Sequence, residues 1–510
     1  MAKSTITRFV IDGVSFAFSE VFRQNHSDNV FGSSFQFMAN KNDTAALLGA
    51  LVLTVALLGA GGWWFLQQQD GSETMRSGGE KSRGGAAAIA ERLSGGERLL
   101  LQGNTNDARD EGIAAYAAGD FGEAAKLFAT ARAEQGNRPD ILIYLNNAKA
   151  SQADYHTIAV VVPLAEDTET GIAEELLRGV AQAQEEVNQQ GGINGKFLKV
   201  VIADDDDDAA IATDVAAKLS DDPDILGVVG HFSSDSSLAA GEIYQENGLV
   251  MISPTSTSVN LSGSGNYIFR TVPSDRFAGN ALFDYLEKKL QVKNVAIFYN
   301  QASNYSTSLK DNLTTELLSQ GGTVAIEVDV NQGGFNAFQT WNEAKTKNAE
   351  AIALLTNSGT LNQALQVMQV NENELPIVAG DSLYNADTLK IGGRDAVGMA
   401  LAVPWHILSN PEAVFPQSSR RLWQGAEVNW RTAMAYDATQ ALITALQETP
   451  DISRETLQQT LANSSFSAIG AADPITFLPS GDRNQTVQIV EVEKSDRSGI
   501  GYDFVPVPIN

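Results

Sequence analysis

The chain has 510 residues, with 62 Asp and Glu against 35 Lys and Arg, and a formal charge of −27, so it is too long for one core and too acidic to attract a phosphate backbone. The absence of Cys rules out disulfides, thiolate metal sites, a Cys nucleophile and a lipoprotein anchor. The four histidines, His26, His156, His231 and His406, show no ligand spacing, so neither a metal nor a cofactor is expected.

Residues 1–43 read as an N-terminal tail without recognisable chemistry. Residues 44–66, TAALLGALVLTVALLGAGGWWFL, carry no charge and as a helix reach roughly 34 Å, enough to span a bilayer. Trp63, Trp64 and Phe65 fit an interfacial belt, and the long preceding tail favours an anchor over a cleaved signal. Basic residues flank the run on both sides, so charge leaves the orientation open.

The polar stretch QQQDGSETMRSGGEKSRGG opens a flexible linker over residues 67–106. Within it LSGGE, Leu93 to Glu97, copies the signature of ABC-type ATPases, but no phosphate loop accompanies it and the match reads as chance. Residues 107–150 then show helical periodicity with a Gly119-Asp120 turn and a restart after Pro139. Gly112, Ala124 and Ala131 with Tyr116, Phe121 and Phe128 resemble about one and a half tetratricopeptide repeats, which implies either a packing spacer or a docking module for a protein partner.

From residue 156 onward short β-rich runs (TIAVVVPL, FLKVVIADD, ILGVVGHF, LVMISPT, then NVAIFYN, TVAIEVDV, AIALLTN, PIVAGDS, GMALAVPWH) alternate with amphipathic helices, the rhythm of two parallel α/β lobes. Ligands in such sheets collect beyond the carboxyl ends of strands. Two post-strand loops, GHFSSDSS and SPTSTSVN, are rich in hydroxyls, and the first runs into a helix whose N–H groups suit a carboxylate; taken alone, helix capping and an ordinary loop are the better explanation of those hydroxyls. The run DDDDD, residues 204–208, reads as a solvated loop before a helix.

The string VVGHFSSDSSLAAGEIYQENGLVMISPTSTSVNLSGSGNYIFRTVPSDRFAGNALFDYL, with QQGGINGKFLKVVIADDDDD upstream and AMAYDATQALITAL downstream, closely resembles the branched-chain amino-acid receptors of bacterial ABC importers. The resemblance implies an α/β, two-lobed type I periplasmic-binding fold over 156–510, preceded by the transmembrane helix and the all-α repeat segment. Lobe 1 is expected over about 156–272 and 404–485, lobe 2 over about 273–403 and 486–510. It further implies that Ser234 and Thr257, with the backbone of Thr255, hold a ligand α-carboxylate, that Asp381 receives the α-ammonium, and that Tyr305 closes over the ligand. This chain departs from the pattern in having Asn357-Ser358-Gly359 where relatives often place an aromatic residue, and no aromatic in LAEDTETGIA, so a roomier or more polar pocket is expected. The competing reading of Gly380-Asp381-Ser382-Leu383 as the opening of a serine esterase fails for want of a general base, because the residue three before His406 is Val403 rather than Asp.

The expectation is therefore a noncatalytic receptor for an amino acid or an amide-bearing relative. It would be tethered on the periplasmic face of a bacterial inner membrane and would deliver its ligand to an ABC permease. The alternative is a noncatalytic regulatory scaffold that docks onto an envelope enzyme through its repeat and receptor-like domain together.

Overall fold

The computed structural model describes residues 5–11, 14–20, 88–164 and 167–508. The proposed span at 44–66 and the linker up to residue 87 lie outside them; among the described residues no helix is long and apolar enough to cross a membrane. The unit Met1–Gly78 contains an antiparallel pair, β1 (Thr5–Ile11) and β2 (Val14–Glu20), with Thr5 opposite Glu20.

The second unit, Gly79–Asn510, holds two sheets. The first runs β3 (Leu93–Ser94), β5 (Phe197–Asp204), β4 (Tyr155–Val162), β6 (Ile225–Val229), β7 (Val250–Ser253) and β8 (Ile268–Arg270), parallel throughout except β3. In the second, β10 (Thr323–Asp329), β9 (Asn294–Tyr299), β11 (Ala351–Leu355), β12 (Ile377–Ala379) and β13 (Ala400–Val403) are parallel, and β14 (Gln488–Lys494) and β15 (Tyr502–Val507) close the edge antiparallel. The central strands are buried on both faces, as their near-continuous Val, Ile, Leu and Ala composition requires.

The chain passes between the sheets after β8, after β13 and before β14. Through the second crossing, a helix late in sequence returns to lobe 1. There α4 (Asp167–Gln189) packs on α12 (Trp430–Glu448), and Gly179 is the point of closest approach: a Cβ on it would lie 2.3 Å from the Thr432 carbonyl oxygen.

Residues 107–150 form the three expected helices, α1 (Asp107–Ala117), α2 (Phe121–Glu134) and α3 (Pro139–Ala150). Asn106 and Asp120 cap the first two, and a Cβ on Gly112 would meet the Phe128 ring at 2.8 Å, which is why a glycine stands where α1 meets α2. The third helix is no free spacer. Nearly all of it is buried against α4 and β5. Asn147 Oδ1 accepts from the Val200 N–H at 2.9 Å while its Nδ2 donates to the Val200 carbonyl at 2.6 Å, so a carboxamide satisfies a strand residue beyond the reach of the short β3.

The end of the expected linker is likewise ordered. Leu93 and Ser94 pair with Ala203 and Ile202, and Arg92 bridges Asp204 at 2.8 Å and Asp206 at 2.5 Å. The Ser94 hydroxyl accepts from the N–H groups of Gly96 and Arg98, so LSGGE is a docking turn on lobe 1. Flexibility was expected there because Gly and Ser dominate the sequence; the turn they build is held by β5, which local composition does not reveal.

Replacing Asn147 by Ala leaves the Val200 N–H and C=O buried without partners. Urea unfolding followed by tryptophan fluorescence should show a loss of about 1–3 kcal/mol, with m unchanged.

Candidate functional site

The carboxyl ends of β6 and β7 face those of β9, β11 and β12 across a cleft of about 230 Å³. Lobe 1 contributes Asp207, Phe232, Ser233, Ser234, Asp235 and Thr255 to its lining. From lobe 2 come the loops at 300–305, 357–358 and 381–382, and Trp430 and Arg431 at the start of α12 complete it.

On lobe 1 the cleft ends at α6 (Ser234–Asn247), capped by Ser233, whose hydroxyl accepts from the Ser236 N–H at 3.2 Å. Beside it runs the loop after β7. Three hydroxyls, Ser253 at 2.9 Å, Ser237 at 3.2 Å and Thr255 at 3.5 Å, point to the His231 carbonyl, and Thr255 Oγ1 also donates to the Phe232 carbonyl at 2.6 Å. His231 itself is fully buried, with Nδ1 2.7 Å from Asp205 and Nε2 3.0 Å from the Tyr244 hydroxyl. The hydroxyl-rich stretches therefore do two jobs: some cap and brace, while Ser234 and Thr255 line the cleft.

On lobe 2, Asp381 opens a short turn after β12. Burial pushes its carboxyl up to about 6, against the opposing pull of the Tyr305 hydroxyl and Arg431. Tyr305, in the first turn of α8 (Asn304–Ser319), presses its hydroxyl so near the backbone that a Cβ on Gly380 would sit 2.2 Å from it. The same hydroxyl accepts from the Ser382 N–H at 3.3 Å. Asp275, the first residue of α7 (Asp275–Asp284), is buried close by; burial chiefly, with the charge of Asp381, raises its carboxyl to about 7.

A family model described as periplasmic binding protein matches residues 155–497. The chain belongs to that family. An amino acid binding protein of Pseudomonas aeruginosa is 34% identical over 192 residues, a match covering 36% of this chain and 51% of that one. The Leu/Ile/Val-binding protein of Escherichia coli K12 is 26% identical over 309 residues, covering 60% and 82% respectively. Two solved structures share the fold: a leucine binding protein from Thermotoga maritima (TM-score 0.60, 22% identity, 69% of this chain and 97% of that one) and a Desulfitobacterium hafniense substrate-binding protein in complex with Leu (TM-score 0.59, 24% identity, 69% and 100%).

In this periplasmic-binding domain four of the five expected site residues, Ser234, Thr255, Tyr305 and Asp381, line one cleft. Thr257 does not; it is buried behind it, where its carbonyl accepts from the Asp275 N–H at 2.8 Å. The polar substitution at 357–358 is in the lining, and Asn357 Oδ1 accepts from Asn300 Nδ2 at 2.9 Å. Ser382 also lines the cleft, but its hydroxyl donates to the Thr356 carbonyl at 2.5 Å and none of the lining residues is a histidine, so it has no general base.

The acidic run 204–208 needs correction. Asp204 and Asp206 bind Arg92, Asp205 is buried on His231, and Asp208 caps α5 (Ala209–Ser220). Asp207 lines the cleft, its carboxyl pushed up to about 7 chiefly by burial and further by Asp205 and Asp235. A loop read as solvated is thus mostly engaged. The reason is register: residues beyond the end of β5 fall between Arg92 and the β6 loop, a juxtaposition only the sheet creates.

Sequence reasoning also missed Phe232, Trp430 and Arg431. The one available signal was that Asn429-Trp430-Arg431 lies one residue, Thr432, before the matched string AMAYDATQALITAL.

Gly380→Ala should force Tyr305 off the turn. Its melting temperature should fall, and adding Tyr305→Phe, which removes the clashing oxygen, should recover part of the loss.

Proposed function

We propose that this chain is a membrane-tethered solute receptor that binds a free amino acid between its lobes and hands it to an ABC permease. The observation that carries the reading is the pairing across one cleft of a helix N-terminus with Ser234 and Thr255 on one lobe and Asp381 with Tyr305 on the other. The N–H groups at the start of α6, with the neighbouring hydroxyls, suit a carboxylate; the Asp381 carboxylate suits an ammonium. Their separation on different lobes means that one zwitterion bridges both and favours their approach.

The names of the relatives, an amino acid binding protein and a Leu/Ile/Val-binding protein, support the same class of ligand. Thr257 acts here as a support for the carboxylate loop. The apolar run at 44–66 would hold the receptor on the outer face of the inner membrane, with the lobes in the periplasm. The scaffold alternative loses one of its three docking helices to the core of lobe 1, since α3 is buried there.

Calorimetry against the common amino acids tests the reading. Asp381→Ala should weaken binding about 30-fold or more, since an ammonium would be left without its counter-charge. The pH dependence has a definite sign. With a free-protein value of about 6, the carboxyl is ionised above that pH and protonated below it. An ammonium ligand selects the ionised form, so the contribution of Asp381 to affinity should be full above about 6 and fall roughly tenfold per pH unit below it. In Asp381→Asn that fall should vanish. Absence of binding by any amino acid would overturn the proposal.

A further inference from the structure

Resting on that reading, we infer that the ligand carries a second anionic group, a side-chain carboxylate, received by Arg431 and Trp430; the preferred substrate class is the acidic amino acids.

Among the described residues Arg431 is the one Lys or Arg lining the cleft, and it is 3% exposed. Its Nη1 donates to the Tyr384 carbonyl at 2.9 Å and its Nη2 to the Asp381 carbonyl at 3.4 Å. Both partners are neutral. Among the described residues no carboxylate lies within 4.0 Å of the guanidinium, and its Nε–H is buried without an acceptor. Trp430 repeats the pattern: it is 2% exposed, it lines the same cleft, and its indole N–H is buried without an acceptor among the described residues. The two side chains are stacked, with Arg431 Cζ 4.4 Å from the Trp430 ring centroid.

Buried N–H groups are almost always paired in native proteins, so two neighbouring residues that line a ligand cleft and each keep an N–H without an acceptor point to an acceptor that arrives with the ligand. Both are donors, which excludes an ammonium or a second amine. The guanidinium charge, at the positive end of the 19-residue helix α12, selects an anion over a neutral carbonyl. A carboxylate has the two planar oxygens to accept from both. An aliphatic side chain would cover the donors with hydrocarbon and leave them unpaired.

Among the described residues, the carboxylates of the cleft make no direct contact with the Arg431 guanidinium. Asp235 accepts from the Asn304 N–H at 3.2 Å and from its Nδ2 at 2.6 Å, and Asp207 accepts from the Ser236 hydroxyl at 3.2 Å. The Asp381 carboxylate, unlike its carbonyl, acts on Arg431 only through space, and Glu175 accepts from Arg178 at 2.5 Å and from the Thr432 hydroxyl. The groups proposed for the α-carboxylate and α-ammonium are separate from this pair, so Arg431 and Trp430 remain for the side chain.

The test is calorimetry on the purified chain with L-glutamate, L-aspartate, L-glutamine and L-leucine. The acidic amino acids should bind about tenfold or more tightly than leucine. Arg431→Leu should weaken glutamate about 30-fold or more and weaken leucine far less. Trp430→Phe, which keeps the ring and removes the N–H, should weaken glutamate alone, and circular dichroism should show both variants folded. Leucine binding the unmodified chain more tightly than glutamate would overturn the inference while leaving the amino-acid receptor intact. So would an equal loss for both ligands in Arg431→Leu, which would make Arg431 a prop for the 381–384 turn. If no amino acid binds the unmodified chain, the receptor reading fails first and this inference with it.

Discussion

Arg270 stands where the two lobes, the hydroxyl-rich loop and the last interlobe crossing meet, and the geometry of the cleft depends on it. Its guanidinium is buried at the end of β8, ion-paired to Asp482 at 2.6 Å, and it donates to the carbonyls of Ser256 at 3.1 Å and Ser258 at 2.7 Å. One side chain thus ties the loop that presents Thr255 to the segment that leads into β14. Asp437 and Arg483, paired at 2.8 Å with neither exposed, add a second tie between α12 and the same segment. Buried pairs of this kind gain little net stability after desolvation, but they penalise any arrangement that separates them. That asymmetry suits a joint, which must define where two rigid bodies pivot without gluing them together.

Across the cleft mouth the contacts are of another kind. Asn304 at the start of α8 meets Asp235 of α6 and accepts from Asn260 at 3.2 Å, while Ser308 accepts from the Val259 N–H at 3.0 Å. These are polar, partly solvated and replaceable by water, so opening the lobes costs little. Strong buried ties at the hinge and weak wet ties at the mouth are the distribution a hinge-closing receptor needs. The raised carboxyls of Asp207, Asp275 and Asp381 belong to the same logic, since each owes its shift first to the exclusion of water.

Much of the fold was legible because strand and helix are written in local periods. Every β-rich run from TIAVVVPL to GMALAVPWH became a strand, since short runs rich in branched and small apolar residues, bounded by turn signals, have few other uses. What escaped was short or dependent on a neighbour: β3, two residues long, exists only because the edge of β5 accepts it, and β8, three residues long, has no period to detect. The pairing of β1 with β2 was also passed over, although Asp12-Gly13 between two β-rich runs is a strong hairpin signal. In the cleft, Ser234, Thr255, Tyr305 and Asp381 could be named in advance because the family resemblance implied them, and each lies in the loop or helix start that follows a strand. Asp207 could not, because its neighbours in sequence are four more aspartates and nothing local tells which one turns inward.

The sequence by itself determined the alternation of strands and helices, the two lobes, the strand-end loops that build the cleft and the presence of an acid after β12. Only the tertiary structure decided that α3 belongs to the core of lobe 1, that Thr257 lies behind the cleft, and that Trp430 and Arg431 line it. The physical reason is range. Periodicity and turn chemistry act over a few residues and are carried by the chain locally, whereas Arg431 reaches Asp381 across 50 positions. It does so because Gly179 lets α4 and α12 touch and a crossing returns α12 to lobe 1, facts that exist only after both sheets have formed.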